Sequence, residues 1–303
     1  MVRGPGCDLP SDILHEMSVE DGVLTTGTHG AYYISIDFEA TGLSRVSDQV
    51  TEVGVCIGYQ EVYPNGRIEL VGTFAEYVRP TRAVVSRGSS AVTGITTEML
   101  ADKDSAEIVL SRMSAFIDGR CRGDVPRILV AYNGLQFDVP LLISELARFT
   151  RPEKFMRSMR LDAIMDPLVW SKERLDKTLL VRRANGRCSY RLGDVYRSLT
   201  GQRLDGAHGA LADSRAVLDI LSHRAMQEIS PPDIKSDAKH FRNPHAVTEE
   251  ILRSMDQVRV PRKRVRTITE MFQGSAKTRR TNGGGGGGGA GTIQDTVEGD
   301  RSL

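Results

Sequence analysis

Apolar and polar residues recur along the chain with two periods, and the change from one to the other outlines the fold. AYYISID (Ala31 to Asp37) and QVTEVGVCIGY (Gln49 to Tyr59) are dense in β-branched and aromatic residues and predict strands. PNG at Pro64 to Gly66 marks a turn, so RIELVGTFAEYV (Arg67 to Val78) is expected to return as a third, antiparallel strand. Beyond it the helical period takes over. SAEIVLSRMSAFIDG (Ser105 to Gly119) spaces Ile108, Val109, Met113 and Phe116 along one helix face, with Gly119 as the expected cap. RILVAY (Arg127 to Tyr132) reads as a short buried strand, and VPLLISELARF (Val139 to Phe149) and ALADSRAVLDILSHRAM (Ala210 to Met226) read as helices. A strand meander followed by alternating helices and strands predicts a mixed sheet covered by helices, an α/β fold.

The pattern also sets expected boundaries. SPPD (Ser230 to Asp233) ends the last periodic helix. Residues 1–28 are expected to form a flexible arm, 29–230 one globular domain, and 231–303 a largely disordered basic, glycine-rich tail. The tail contains PRKRVR (Pro261 to Arg266) and seven consecutive glycines, Gly283 to Gly289. Polyglycine has the largest ordering entropy to overcome and nothing to bury.

At 40% apolar and 26% charged residues, the composition is that of a soluble globular protein. The longest apolar runs are a handful of residues (VPLLI, Val139 to Ile143), far short of the ~20 that cross a bilayer, so no membrane is expected as a partner. The start of the chain has no apolar signal core. Cys7, Cys56, Cys121 and Cys188 are scattered without CxxC pairing, which argues against a disulfide scaffold or a thiolate zinc site. An intracellular protein is the expectation, nuclear or cytoplasmic. PRKRVR reads either as a nuclear-import patch or as a nonspecific nucleic-acid contact.

The near-neutral net charge of +1 names no partner, but the charges are segregated. Residues 31–147 hold ten basic and fifteen acidic side chains, whereas 148–203 hold fourteen basic and six acidic ones. An acidic segment followed by an arginine-rich one suits a protein that gathers cations in one place and phosphates beside it; two solvated faces are the plainer reading.

Four acids bring chemistry into this outline. Asp37 and Glu39, two apart at the end of the first strand (SIDFEATGL), point to the same face. Asp138 closes AYNGLQFD, just after another buried strand. Asp213 shares a helical stripe with Val217 and Ile220 and is expected to face the sheet. His208 precedes it by five residues in a turn flanked by Gly206 and Gly209. Singly, each acid reads as a strand-end or helix cap and His208 as an exposed turn residue. Jointly, the acids converge if their strands are neighbours. Each pair ~4 Å apart then repels by about 4 kcal/mol at an effective dielectric of 20. Bound cations relieve such crowding, and oxygen-only ligands select Mg²⁺ or Mn²⁺ over zinc.

DxE on the first strand, NGxxFD about a hundred residues on, and HxxxxD on the last core helix resemble the DEDDh-type 3′–5′ exonucleases of the ribonuclease H-like superfamily. That family includes polymerase III proofreading subunits, the three-prime repair exonucleases and RNase T. The resemblance spans residues ~31 to ~228 and includes YVRPTRAVVSRGSSAVTGITTEML (Tyr77 to Leu100). It implies a five-stranded mixed sheet with helices on both faces. It also implies that Asp37, Glu39, Asp138 and Asp213 hold two Mg²⁺ (or Mn²⁺) ions and that His208 is the general base. The reaction implied is hydrolysis of the terminal phosphodiester of a nucleic acid with a free 3′ end, expected to be single-stranded, releasing nucleoside 5′-monophosphates.

By the same resemblance Ala40 and Thr41 place backbone against the terminal sugar, Leu43 wedges against the last base, and Asn133 supports the second motif. The sequence departs from many relatives at Tyr132, where they carry histidine. Arg182 and Arg183, with Arg187 and Arg191, flank a glycine turn and are expected to grip phosphates. DNA is the favoured substrate. An RNA-trimming exoribonuclease and a catalytically silent nucleic-acid-binding module on the same fold are the alternatives. A polymerase or other protein partner is left open.

Overall fold

A computed structural model describes residues 30–61, 67–226 and 237–258, all within one compact unit spanning residues 1–258. Six strands form one sheet: β1 (Ala31–Ala40), β2 (Val50–Gln60), β3 (Glu69–Tyr77), β4 (Arg127–Val130), β5 (Ala163–Met165) and β6 (Phe241–Arg242). Their order is β3-β2-β1-β4-β5-β6. The first three strands run antiparallel, as their alternation and intervening polar break predict. β4 and β5 are parallel to β1 and reached by helical crossovers, and β6 returns antiparallel.

The strand faces sort the helices into two layers. Ile34, Ile36 and Phe38 of β1 with Val53, Val55 and Ile57 of β2 pack against α2 (Ala106–Arg120) and α3 (Asp138–Leu146). Tyr33 and Cys56 face the other way, against α6 (Leu192–Thr200) and α7 (Ala210–Leu221) through Val195, Val217, Leu218 and Leu221. Helices therefore cover both faces, as expected. α1 (Arg87–Thr93) and α4 (Pro152–Ser158) are short, and Trp170, buried in α5 (Pro167–Arg174), belongs to the second layer.

Two expectations need correction. The sheet has six strands, not five, and the sixth comes from the segment beyond residue 230 that was expected to be largely disordered. That segment also supplies α8 (Pro244–Val258), whose Val247, Ile251 and Met255 recur every four residues and pack onto the α3 layer. A two-residue strand leaves no periodic trace, and the helical stripe was outweighed by the basic, glycine-rich composition around it. The second correction is smaller: α2 runs through Gly119 to Arg120, and Cys121 caps it. The PNG turn, the amino-terminal arm, SPPD, PRKRVR and the glycine run lie outside the described residues. No helix among the described residues is long and apolar enough to cross a membrane.

Candidate active site

β1 carries Asp37 and Glu39 to the end of the sheet on one face, the face that α7 covers. In the antiparallel register Asp37 stands opposite Gly54 and Glu39 opposite Glu52. Gly54 decides how near α7 comes. A Cβ there would lie 2.1 Å from the carbonyl carbon of Ala210, so the backbone of the helix start rests directly on β2. That contact brings Asp213, in the first turn of α7, to the strand carboxylates. Oxygens of Asp37, Glu39 and Asp213 lie within 4.8 Å of one another.

Asp138 enters from the opposite layer, that of α2 and α3. It is buried at the start of α3, and its Oδ1 accepts the N–H of Phe38 at 3.0 Å, across 100 residues of sequence. It stands outside the 4.8 Å group but close enough to raise the pKa values of both Asp37 and Glu39. The four acids predicted from sequence thus share one sheet end, three in mutual reach and the fourth beside them.

The electrostatics are those of negative groups crowded with little water. Burial, followed by repulsion from Asp138, Asp213, Glu39 and Glu52, holds the Asp37 carboxyl well above the usual range. Burial first and the neighbouring carboxylates next push Glu39 up to about 8. Asp138 is pushed up to about 7 by burial, against the pull of the Phe38 N–H. Burial also raises Asp213, opposed by the N–H and the charge of His208. Oδ2 of Asp213 accepts the His208 N–H at 3.2 Å, whereas its buried Oδ1 has no hydrogen-bond partner.

This arrangement fits a hard divalent cation. The donors are carboxylate oxygens alone, their repulsion is uncompensated, and one buried oxygen is left unsatisfied. Asp37, Glu39 and Asp213 would hold such an ion, with Asp138 at its margin.

The remaining predicted residues border this group. His208 is exposed on its turn with φ +68°, and Asn133 is exposed with φ +59°. Left-handed backbone is uncommon outside glycine and gathers at functional turns. The Asn133 N–H donates to Asp166 Oδ1 at 2.9 Å. Next to it, Gly134 is obligatory, because a Cβ there would meet that of Ala131 at 2.1 Å.

Thr41 is fully buried. Its hydroxyl donates to Asp48 Oδ1 at 2.8 Å, and its backbone N–H and C=O are bonded to Gln49 O and Ser86 N. The carbonyl of buried Ala40 accepts from the Ser89 hydroxyl. Leu43, in contrast, is 92% exposed at the loop tip. Arg182 and Arg183 lie on an exposed hairpin, bonded to Gly186 O and Ser189 Oγ. Tyr132, where the sequence departs from the resemblance, joins the end of that hairpin to the second motif through a 2.8 Å bond to Tyr190 O.

Sequence reasoning missed Glu52, Gly54, Asp48 and Asp166. Two signals were available: a lone carboxylate inside an otherwise apolar strand, and a glycine two residues after it.

Known proteins resemble the chain over the residues that carry this site. The exonuclease (RNase T) family model matches residues 34–221. Three prime repair exonuclease 2 of Homo sapiens is 28% identical over 214 residues, covering 66% of this chain and 86% of that protein. The PolC-type DNA polymerase III of Thermotoga maritima is 30% identical over 190 residues, 63% of this chain but only 12% of the polymerase. Among solved structures, Exonuclease I of E. coli in complex with a dT13 oligonucleotide superposes with a TM-score of 0.54 at 18% identity. That match covers 74% of this chain and 46% of Exonuclease I, and it shows a shared fold.

Proposed function

The chain belongs to the RNase T exonuclease family, and from that premise we propose that it is a divalent-metal-dependent 3′–5′ exonuclease that removes nucleoside 5′-monophosphates from single-stranded DNA. The observation that carries the reading is the convergence of Asp37, Glu39 and Asp213 within 4.8 Å, with an unsatisfied buried oxygen among them. A site built to store four or five carboxylates with no cation would be held together against their repulsion for no structural gain. That weighs against a silent binding module.

The roles divide by position. Asp37, Glu39 and Asp213, with Asp138 beside them, would hold two Mg²⁺ or Mn²⁺ ions, which when bound supply an activated water and offset charge on the phosphate oxygens. His208 stands exposed beside Asp213 on a turn that can reach solvent, the place for a general base that takes the proton of the attacking water. Leu43, projecting from its loop, meets the last base, and the loop at Ala40 and Thr41 flanks the terminal sugar. Arg182 and Arg183 hold phosphates of the incoming strand, a contact that gives affinity without reading sequence. DNA is favoured over RNA because the PolC-type relatives are named as DNA polymerases.

The test is a substrate panel. Single-stranded DNA and RNA of one sequence, labelled at the 5′ end, are incubated with Mg²⁺ and then with EDTA. Shortening of DNA from the 3′ end, lost in EDTA and in Asp37→Asn, is the expected result. Faster shortening of RNA would replace the DNA reading by that of an exoribonuclease. No shortening of either would leave a silent module.

A further inference from the structure

Glu52 is the carboxylate of this cluster that neither periodicity nor the family motifs nominate. It stands opposite Glu39 in the β1–β2 register. Side chains opposed in this way lie ~5 Å apart, and like charges there destabilise the pair. The surroundings are anionic: burial and Asp213 raise its pKa, and Glu52 in turn raises those of Asp37 and Glu39. Among the described residues no basic side chain pairs with it, although Arg215 lines the same cleft. A solvated surface acid would avoid this position.

What Glu52 does have is one directed bond. Its Oε2 accepts the N–H of Ala210 at 3.0 Å, across 158 residues of sequence. Ala210 is the first residue of α7, and the residue before it, Gly209, offers no side chain to cap the helix. Glu52 supplies that cap from the neighbouring strand, taking up one of the amides that a helix start leaves unpaired. Asp213 follows Ala210 by less than one turn and in turn accepts the N–H of His208. Two residues along β2, Gly54 lets the Ala210 backbone touch the strand. One contact by shape and one hydrogen bond therefore seat the same helix start.

We propose that Glu52 is a positioning residue: its bond to Ala210 fixes the first turn of α7 on β2 and so sets where Asp213 and the His208 turn stand relative to Asp37 and Glu39. This rests on the reading of those carboxylates as ion ligands. It differs from a role for Glu52 as a further ligand, because positioning needs the acceptor oxygen and not the charge. Glutamine keeps the oxygen and loses the charge; alanine loses both.

The experiment uses the full chain with Glu52→Ala and Glu52→Gln. Mn²⁺ binding is measured by titration calorimetry, kcat and KM on a single-stranded DNA oligonucleotide, and folding by thermal melting. Glu52→Ala is expected to weaken Mn²⁺ binding about tenfold or more and to lower kcat by a similar factor, as loss of an outer support does at metal sites. KM stays within about twofold, because no contact to substrate is removed. Glu52→Gln stays within about threefold of the parent in both affinity and kcat. The proposal is overturned if Glu52→Ala matches the parent, or if Glu52→Gln is as impaired as Glu52→Ala, which would make the charge the working part. Should the alanine variant not fold, a Glu52→Gln variant that loses about tenfold or more in Mn²⁺ affinity and kcat overturns the proposal, and one within about threefold of the parent upholds the acceptor role. Absence of Mn²⁺ binding by the parent chain would remove the ligand reading itself, and the positioning role with it.

Discussion

Gly54→Ala tests whether close packing of α7 on β2 holds the carboxylates in place. The added Cβ would lie 2.1 Å from the Ala210 carbonyl carbon, 2.2 Å from its oxygen and 2.4 Å from the Leu211 nitrogen. These are backbone atoms, so no change of rotamer relieves the overlap. An ordinary contact begins at 3.4 Å, and the start of α7 must retreat by the shortfall, about 1.3 Å. The 3.0 Å bond from Ala210 to Glu52 then stretches past the range of a useful hydrogen bond. Asp213 and the His208 turn move with it.

Overpacking of this kind destabilises a fold by ~1–3 kcal/mol. A misplacement of ~1 Å at a reacting centre lowers a rate by about 10²-fold. The two scales separate the effects, because the retained stability is still enough for a folded protein whereas the rate nearly vanishes. The assay is kcat on a labelled single-stranded oligonucleotide beside a thermal melt. Gly193→Ala, where a Cβ meets nothing within 4 Å in α6, serves as the control. The control should keep its rate and melt no lower, since alanine favours helix over glycine by up to ~1 kcal/mol. A parental kcat in folded Gly54→Ala would refute the packing argument.

Other consequences follow from the same geometry. Asp37, Glu39, Asp138, Asp213 and Glu52 all hold protons more tightly folded than unfolded. Between about 4 and about 8 the folded chain therefore binds more protons than the unfolded one, and stability falls as pH rises through that window. Melts in EDTA from pH 5 to 9 should show the fall and saturating Mg²⁺ should shrink it; a chelated protein that gains stability toward pH 8 contradicts the charge cluster. Leu43→Ala removes a side chain that is 92% exposed, so the melt should shift by no more than ~0.5 kcal/mol. If Leu43 stacks on a base, KM rises about fivefold, the equivalent of ~1 kcal/mol; an unchanged KM removes the wedge. Arg182→Ala with Arg183→Ala should raise KM more than it lowers kcat. The salt dependence of binding should flatten by ~0.7 per lost phosphate contact, and a fall in kcat at constant KM would exclude a binding role.

The parts of this fold that were readable in the sequence are those whose pattern is local. The β1–β3 meander shows through two-residue alternation, and Asp213 shows its inward face because Val217 and Ile220 share its stripe and are buried. β5 and β6, three and two residues long, are held by their neighbours in the sheet and have too few positions to express a period. α8 did carry a period in Val247, Ile251 and Met255, but the surrounding composition masked it. Glu52 and Gly54 could be seen as anomalies in a strand and no more. Their meaning depends on which helix lies on β2, and α7 is more than 150 residues away.

Asp138 joins fold and site in one side chain, and two substitutions separate its roles. β4 accompanies β1 only as far as Ser35, opposite Val130. Past that point β1 has lost its parallel neighbour, and the Phe38 N–H on that side bonds instead to Asp138 Oδ1. Asparagine keeps an oxygen for this bond and removes the charge that sits unfavourably in a buried anionic cluster. Asp138→Asn should therefore stay folded, melting at or above the parent temperature near neutral pH, while its cleavage rate falls with the loss of one carboxylate. Alanine also removes the charge but leaves the Phe38 amide buried and unpaired, which costs about 1–3 kcal/mol. Because both variants lose the same charge, the difference between their melting free energies isolates the strand-completing bond. Equal stability of the two would show that water or another group satisfies Phe38, and that Asp138 serves the chemistry alone.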